Sequence, residues 1–338
     1  MVTGRVTTAL AALLLHCAPM RSSIPTLRER VRWLRYRIGS KLAADNRPDL
    51  KQALGAYARL MRLDRPIGTF LLLWPTLWAL WLGSSGQPIE KVFIVFVLGV
   101  VLTRSAGCVI NDFADRKFDG HVKRTRQRPM ATGEVSTPEA LLLFAALILI
   151  AFGLVLTMDK VVVLMSFVGA FIMITYPFFK RFFPAPQFYM GVAFSWSIPM
   201  SFVAQTGTTS RLCWLLFAAS IVWAAAYDTM YAMVDREDDL RIGIKSSAIL
   251  FGDADRVIIG AMQLMVLYAL WLAGKELELG LWYRGGLAAA ACFALYQQYL
   301  IRRREPDDCL LAFLNNNYFG MVVFVGIALE YLFRAPSP

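Results

Sequence analysis

The sequence predicts an all-α protein that lies in a membrane as a bundle of about nine helices. Of its 338 residues, 57% are hydrophobic and only 17% are charged, whereas soluble domains carry about 25% charged residues. The apolar residues also gather in long runs that are separated by short polar loops. Because the bilayer core offers no water, such runs satisfy their backbone groups as helices.

Nine apolar segments follow a basic N-terminal stretch, and most are near the ~20 residues that span a bilayer. Three prolines, Pro75, Pro177 and Pro199, stand in or at the ends of segments, where membrane helices tolerate kinks. Together the segments define a predicted membrane domain, residues 56–338. The predicted segments are 66–83, 92–111, 140–157, 161–179, 188–205, 212–234, 256–273, 280–299 and 316–333.

Residues 1–55 differ from the rest, since they are rich in Arg and contain no acid before Glu29. Their composition predicts a disordered basic extension, or a start codon assigned too early with Met20 as the alternative. An Arg-rich, acid-poor start is also typical of an organellar transit peptide, and the short apolar run 9–15 lacks a clear signal-peptide cleavage site.

The net charge of +11 is distributed along the chain as in a membrane protein. Lys and Arg concentrate in the loops after segments two, four, six and eight, which predicts that these loops and the N-terminus are cytoplasmic. A nucleic-acid partner is excluded, because such a binder carries its charge on a soluble surface. Two of these loops, 112–139 and 235–255, are long and polar and contain most of the acids outside the termini. Function is therefore predicted on the cytoplasmic face of the bilayer.

A first acidic motif ends segment two. Asn111, Asp115 and Asp119 recur at i, i+4 and i+8, so on a helix they share one narrow face, whereas Asp112 lies off it and is expected to matter less. Like charges at this spacing repel unless a cation lies between them. Oxygen ligands of this kind suit Mg²⁺, which also takes substrate phosphate oxygens.

A second acidic motif ends segment six. Asp235 and Asp239 are again four residues apart, and Tyr231 and Asp228 fall on nearly the same face. Asp228 lies within an apolar run, where a carboxylate indicates a functional site. Either motif alone is also compatible with a solvated helix end. Two of them on one membrane face predict a pair of Mg²⁺ ions around one diphosphate.

Basic residues surround both acidic motifs, and the cytoplasmic bias of Lys and Arg accounts for most of them. Lys180 lies four residues after Tyr176, a spacing that allows it to touch a diphosphate. Arg181 suits a carboxylate, since a guanidinium pairs with it through two hydrogen bonds. The other basic residues in these loops are Lys123, Arg124, Arg126, Arg128 and Lys245.

These motifs together resemble the UbiA-type membrane prenyltransferases. The stretches "RLDRPIGTFLLLWPTLWALW", "NDFADRKFDGHVKRTRQRP", "YPFFKR", "YDTMYAMVDREDD" and "NNNYFG" are similar to the 4-hydroxybenzoate polyprenyltransferase branch of that family, which acts in ubiquinone biosynthesis. The likeness runs in order from about Leu60 to Leu332. Only residues 1–55 fall clearly outside it.

The resemblance implies a nine-helix bundle, Mg²⁺, a polyprenyl diphosphate donor and an aromatic acid acceptor. By motif, five residues would hold Mg²⁺ and diphosphate: Asn111, Asp115, Asp119, Asp235 and Asp239. Arg181 is assigned to the acceptor carboxylate, with Arg62 and Arg65 as competitors for either anion. Asp115, Asp235 and Arg181 form the predicted catalytic set. The remaining predicted substrate-binding residues are Arg128, Tyr176, Lys180, Asp228, Tyr231 and Lys245.

The expected reaction is electrophilic prenylation of the ring carbon ortho to the acceptor hydroxyl, with Asp235 near that hydroxyl. Trp74, Trp78, Phe194 and Trp196 are expected either to line a water-free cavity or to pack in the ordinary way. The wording of the motifs favours a bacterial inner membrane, with the mitochondrial inner membrane as the alternative. Two other functions stay open, namely prenylation of another aromatic acceptor and cation transport by intramembrane acids.

Overall fold

The computed structural model describes residues 50–116, 119–121, 125–179, 182–243 and 245–334, and every regular element in these ranges is a helix. Contacts divide the chain between Gln52 and Ala53, and the second unit holds the membrane helices. The helices are α1 (Leu50–Leu60), α2 (Ile67–Gly83), α3 (Glu90–Asp115), α4 (Pro129–Thr132), α5 (Thr137–Val155), α6 (Lys160–Phe179), α7 (Pro186–Ser195), α8 (Ser197–Thr206), α9 (Arg211–Val234), α10 (Arg236–Ile242), α11 (Ser247–Phe251), α12 (Asp255–Glu276), α13 (Leu281–Leu300) and α14 (Pro306–Phe333). Short 3₁₀ turns cover Asp119–His121, Gly252–Ala254 and Ile301–Arg303.

The predicted all-α membrane fold is confirmed. Within the described ranges each of the nine predicted segments coincides with a helix, except that the fifth is divided into α7 and α8. Six stretches are long and apolar enough to cross a membrane, whereas α2 is shorter, with 17 residues. The count of nine membrane crossings therefore stays a prediction. The six stretches are Glu90–Asp115, Thr137–Val155, Lys160–Phe179, Arg211–Val234, Ser247–Glu276 and Pro306–Phe333.

Local sequence explains where several helices begin and break. Ser136 and Glu139 form a capping box at the start of α5, and Ser210 accepts a hydrogen bond from the Cys213 backbone at the start of α9. The division between α7 and α8 falls just before Pro199, whose missing N–H leaves the Ser195 carbonyl without its helical partner.

The centre of the bundle is an aromatic core that joins α2, α9 and α14. The ring centroids of Trp78 and Trp223 lie 5.2 Å apart, and Trp223 stacks on Phe319 at 5.6 Å. Each indole N–H has a partner on α14, since Trp223 donates to Asn316 Oδ1 at 3.0 Å and Trp78 to the Gly320 carbonyl at 3.1 Å. Buried indoles need such partners, so these bonds fix the register of the three helices.

Candidate active site

A cavity of about 570 Å³ opens between α2, α3, α5, α6, α7, α8 and α9, and it has two different ends. The polar end lies where α3, α6 and α9 finish. The apolar arm runs from there toward the first residues of α3 and α6 and the last residues of α5. From Asn111 to Phe96 on α3 is about 22 Å at 1.5 Å per residue. The polar end is lined by Arg62, Arg65, Asn111, Asp112, Arg128, Tyr176, Asp228 and Tyr231.

Two residues from the region of each acidic motif meet at this polar end. Asn111 and Asp112 near the end of α3 line the same cavity as Asp228 and Tyr231 near the end of α9. Tyr176 near the end of α6 faces it as well. Tyr231 is held beside Phe313 of α14, with 4.6 Å between their ring centroids.

The first motif departs from a single helical face, because α3 ends at Asp115. Asn111 and Asp115 therefore share a face as predicted, but Asp119 lies in the following 3₁₀ turn. Asp119 folds back through Arg128, whose Nη1 lies 3.0 Å from one oxygen of Asp119 and 3.0 Å from Oδ1 of Asp112. The expected i, i+8 relation is thus wrong for Asp119, although its carboxylate remains beside the motif.

The second motif contains a helix break that the sequence did not predict. α9 ends at Val234, Asp235 lies between helices, and α10 begins at Arg236. The Asp239 N–H still donates to the Asp235 carbonyl at 2.9 Å, so the four-residue spacing keeps its helical geometry. Neither Asp235 nor Asp239 lines the cavity, and the same is true of Asp115 and Asp119.

The predicted basic residues have different surroundings. Arg62 and Arg128 are bound to the acidic motif, whereas the side chain of Arg65 is 83% exposed at the rim. Lys245 is exposed, does not line the cavity and donates to the Phe182 carbonyl at 2.9 Å. The prediction that Lys245 binds substrate directly is therefore not supported by its position in the structure. Lys180, Arg181, Lys123 and Arg124 lie outside the described residues.

Two of the four aromatic residues expected in the cavity wall are found there. Phe194 and Trp196 line it, beside the junction of α7 and α8. Trp78 belongs to the aromatic core. Trp74 does not line the cavity, and its indole N–H donates to Asn317 Oδ1 at a distance of 2.9 Å. For these two tryptophans ordinary packing was the correct alternative.

The carboxylates beside the polar end of the cavity are suited to a cation. Burial raises the pKa of Asp119 above its usual 3.8, the carboxylates of Asp112 and Asp115 raise it further, and Arg128 opposes them. A divalent ion would favour the ionised form of such a carboxylate. Within the described ranges no group of three or more His, Cys, Asp or Glu side chains is close enough to hold a metal on its own. The donor set fits an ion whose shell is completed by water and phosphate oxygens.

Sequence reasoning overlooked two residues of this site. Asp112 lies off the predicted face, yet it is 1% exposed and pairs with both Arg62 and Arg128. Arg104 lines the cavity from the middle of α3. The available signal for Arg104 was its place inside an apolar segment, because an intramembrane charge indicates a functional site as readily for Arg as for Asp228.

The fold and the cavity define an integral membrane protein whose acidic and basic pocket continues into an apolar arm between membrane helices. The sequence profile of the UbiA prenyltransferase family matches residues 72–322, and the chain belongs to this family.

Curated relatives extend the likeness over most of the chain. The "4-hydroxybenzoate octaprenyltransferase" of Nitrosococcus oceani is 60% identical over 283 residues, which are 84% of this chain and 99% of the relative. The protein of the same name from Methylococcus capsulatus is 58% identical over 84% of this chain and 97% of its own. The predicted resemblance to the 4-hydroxybenzoate branch is thereby confirmed.

Solved structures support the same fold. The apo structure of a UbiA homologue from Aeropyrum pernix K1 superposes with a TM-score of 0.70 at 25% identity, covering 78% of this chain and 97% of that one. A UbiA homologue from Archaeoglobus fulgidus bound to GPP and Mg²⁺ gives a TM-score of 0.61 at 17% identity, over 79% of this chain and 99% of that one. At that identity the second likeness bears on the fold alone.

Proposed function

We propose that this protein transfers a polyprenyl group from polyprenyl diphosphate to 4-hydroxybenzoate, at the ring carbon ortho to the hydroxyl. The observation that carries the proposal is the two-ended cavity of a chain 60% identical to a 4-hydroxybenzoate octaprenyltransferase. Its polar end suits the diphosphate and the acid, and its apolar arm suits the prenyl chain. α5 and α6 bury little of their surface inside the protein, so this arm lies close to the lipid.

In the reaction the C–O bond between the prenyl C1 and the diphosphate breaks, and the diphosphate leaves with the electron pair. The ring carbon of the acceptor forms the new C–C bond with C1, and that carbon then loses its proton. Mg²⁺, when bound, supplies positive charge that neutralises the leaving diphosphate. Its proposed ligands are Asn111, Asp115, Asp119, Asp235 and Asp239.

The remaining residues of the polar end bind and orient the two substrates. Arg62 and Arg128, held by Asp112, present positive charge to the diphosphate. Tyr176 and Lys180 act at the same group, and Asp228 and Tyr231 close the side of the cavity formed by α9. Asp235 is proposed near the acceptor hydroxyl, where a carboxylate can polarise the O–H bond. Arg65 stays at the exposed rim of the cavity, whereas Lys245 does not line it. Arg181 stays a proposed anion-binding residue beside Lys180.

The placement of the acids favours an enzyme over a cation transporter. Transporter sites lie near mid-bilayer at interrupted helices. Here the interruption between α7 and α8 carries no acid, whereas Asp115 and Asp235 mark the ends of α3 and α9. These ends adjoin basic loops, as expected for an anionic substrate that carries its metal with it.

The domain limits and the location are proposed on similar grounds. The family match lies inside 56–338, which supports a membrane domain there and a separate extension at 1–55. The bacterial relatives support a bacterial inner membrane, with the mitochondrial inner membrane as the alternative. The excess of Lys and Arg in the loops after segments two, four, six and eight supports an N-terminus in the cytoplasm. A chain that starts at Leu50, so that α1 stays whole, and keeps full activity in membranes would support a separate extension, and an inactive but folded one would contradict it.

The proposal is tested with membranes that contain the full chain, ring-labelled 4-hydroxybenzoate and polyprenyl diphosphates of several lengths, in Mg²⁺ or in EDTA. We expect the label to enter the lipid extract only with both substrates and Mg²⁺, as 3-polyprenyl-4-hydroxybenzoate. Membranes with Asp115→Asn serve as the control. Absence of prenylated product from the wild type with every donor would refute the proposal, and product from a different phenol alone would favour the second acceptor class.

A further inference from the structure

A single buried carboxylate, that of Asp255, neutralises two arginines at the beginning of α12. Arg304 donates to both of its oxygens, from Nε at 3.0 Å and from Nη2 at 2.8 Å. Arg236 Nη1 lies 3.4 Å from Oδ2 of the same carboxylate. Because Arg236 is the first residue of α10, the beginning of α12 lies on the same face of the protein as the second acidic motif.

Two further arginines lie at this level of the protein, because α12 and α13 are antiparallel neighbours. Gln298 Nε2 donates to Gln263 Oε1 at 3.0 Å, and a Cβ built on Gly260 would lie 3.6 Å from the same Nε2. Arg256 lies one helical turn before Gly260 on α12. Arg302 lies four residues after Gln298, in the 3₁₀ turn that follows α13. The side chains of Arg256 and Arg302, called the arginine pair below, therefore start at the same end of the two helices.

Neither guanidinium of the arginine pair has an acidic partner within the described ranges. The Nε of Arg256 is buried and has no hydrogen-bond acceptor in this part of the chain. Arg302 donates from Nη1 to the Tyr299 carbonyl at 2.6 Å, and its Cζ lies 3.6 Å from the centroid of the Tyr299 ring. Two neighbouring guanidinium groups repel each other unless an anion lies between them. The arginine pair therefore favours an anionic ligand.

The surface next to the arginine pair is apolar and exposed, as expected for contact with lipid. α12 belongs to a stretch that is long and apolar enough to cross a membrane. Val257 and Leu264 on α12 and Leu295 on α13 are each mostly exposed. Tyr299 is exposed near the last residue of α13, and exposed tyrosines at helix ends are typical of the membrane–water interface. The arginine pair thus lies at the depth of the lipid head groups.

We propose that Arg256 and Arg302 bind the phosphate of an anionic phospholipid, in the leaflet on the side of the acidic motifs. Guanidinium groups bind phosphate oxygens through paired hydrogen bonds, and two uncompensated positive charges select a head group of net negative charge. The acyl chains lie along Val257 and Leu295, and the phosphate joins the ends of α12 and α13. Neither arginine lines the cavity, so the inference does not depend on the proposed function.

The test is native mass spectrometry of the full-length protein in a neutral detergent, with phosphatidylglycerol or zwitterionic phosphatidylcholine added. We expect the wild type to retain one phosphatidylglycerol per chain in a saturable manner and phosphatidylcholine much more weakly. Arg256→Gln/Arg302→Gln should lower the affinity for phosphatidylglycerol by roughly 30-fold. The same variant should lose the rise in melting temperature that phosphatidylglycerol causes in the wild type.

A matched control removes the same charge from the same face of the protein. Arg241→Gln/Arg303→Gln replaces two exposed arginines, of which Arg241 lies 3.5 Å from Asp238, and it should change the affinity by less than about threefold. If the variant of the arginine pair does not fold, Arg302→Gln is compared with Arg303→Gln, and roughly a fivefold loss is expected for Arg302→Gln alone.

Three results would overturn the inference. An unchanged affinity in Arg256→Gln/Arg302→Gln would show that the arginine pair does not bind the lipid. Equal losses in the two double variants, or equal retention of phosphatidylcholine, would show that no specific site for an anionic head group exists. Inorganic phosphate should leave the melting temperature of the wild type unchanged, and a rise equal to that with phosphatidylglycerol would assign the arginine pair to a free phosphate ion.

Discussion

Arg62 places its Nη2 atom 2.9 Å from both carboxylate oxygens of Asp112. The Asp112 side chain is 1% exposed, and its Oδ1 also lies 3.0 Å from Nη1 of Arg128. One buried carboxylate thus joins the segment between α1 and α2 to α3 and to the loop that follows α3. Because both arginines line the cavity, the position of its positively charged wall depends on Asp112.

Asp112→Asn is therefore expected to reduce both stability and substrate binding, although Asp112 lies off the helical face that Asn111 and Asp115 share. The amide keeps the shape of the side chain but loses the charge that two guanidinium groups share. We expect the free energy of unfolding to fall by about 1.5–3 kcal/mol and KM for the prenyl diphosphate to rise. Thermal unfolding in detergent and steady-state kinetics measure the two effects. Wild-type values of both would show that the arginines do not depend on this carboxylate.

Arg62 also occupies a backbone position that favours glycine. Its φ is +59°, and α1 ends with Leu63 N bonded to the Ala58 carbonyl and Arg62 N to the Arg59 carbonyl. Arg62→Gly and Arg62→Ala both remove the guanidinium, so both should raise KM for the diphosphate equally. Only glycine fits the left-handed φ without strain, so the glycine variant should be more stable by about 1 kcal/mol. Equal melting temperatures of the two variants would contradict this order.

The hydrophobic pattern predicted the helices well, because apolar length alone decides which stretches can cross a bilayer. It could not place their ends. α3 stops at Asp115 and α9 at Val234, since beyond these residues the chain leaves the apolar bundle and tertiary contacts such as Arg128–Asp119 replace helical bonds. A spacing rule that assumes one unbroken helix therefore holds for Asn111 and Asp115 but fails for Asp119.

The site was predicted where residue type is unusual and missed where only the contacts decide. Asp228 was recognised because a carboxylate in an apolar run is rare. The role of Asp112 depends on Arg62, fifty residues earlier, and no local pattern predicts that pair. Trp74 and Trp78 show the converse, since nothing in the sequence distinguishes their places in the core from those of Phe194 and Trp196 in the cavity wall.

Removal of one charge from either acidic motif is expected to lower turnover to a similar extent. Asp115→Asn and Asp235→Asn should each lower kcat by at least about 100-fold, since each removes a proposed metal ligand. The matched control is Asp238→Asn in α10, which begins directly after Asp235. The Asp238 side chain is 34% exposed and lies 3.5 Å from Arg241, so this variant should change kcat by less than about threefold. Turnover is measured across a Mg²⁺ titration. An equal loss at Asp238 would contradict a specific ligand set.

Asp119 gives a test of cation binding that needs no turnover. Its pKa is raised above 3.8 in the fold, so the unfolded chain loses the proton first and the metal-free protein loses stability as the pH rises through the raised value. At pH 7 in EDTA, Asp119→Asn should therefore raise the melting temperature. Mg²⁺ with inorganic pyrophosphate should stabilise the wild type more than this variant. If Asp119→Asn melted at a lower temperature than the wild type in EDTA, the ionised Asp119 would not destabilise the metal-free protein, and the prediction would be wrong.

The shared site also requires the loops after α3 and α9 to lie on one side of the membrane, and cysteine labelling of intact cells tests this. Arg126→Cys and Arg241→Cys should react only with a reagent that reaches the cytoplasm. For the opposite side Gln87→Cys and Thr208→Cys are suitable, because both residues are exposed. Gly86 is unsuitable, since its φ is +83° and an added Cβ would collide with the Tyr331 side chain.

Accessible native cysteines would also react with the labelling reagent. Cys108, Cys213 and Cys309 are buried, whereas Cys292 is exposed on α13, so Cys292 is replaced by Ala in every labelled chain, as is Cys17. We expect Arg126→Cys and Arg241→Cys to behave alike and opposite to Gln87→Cys and Thr208→Cys. Because Asn111 and Asp228 line one cavity, labelling of Arg126→Cys and Arg241→Cys from different sides would be incompatible with this fold, and with a diphosphate held between the two acidic motifs.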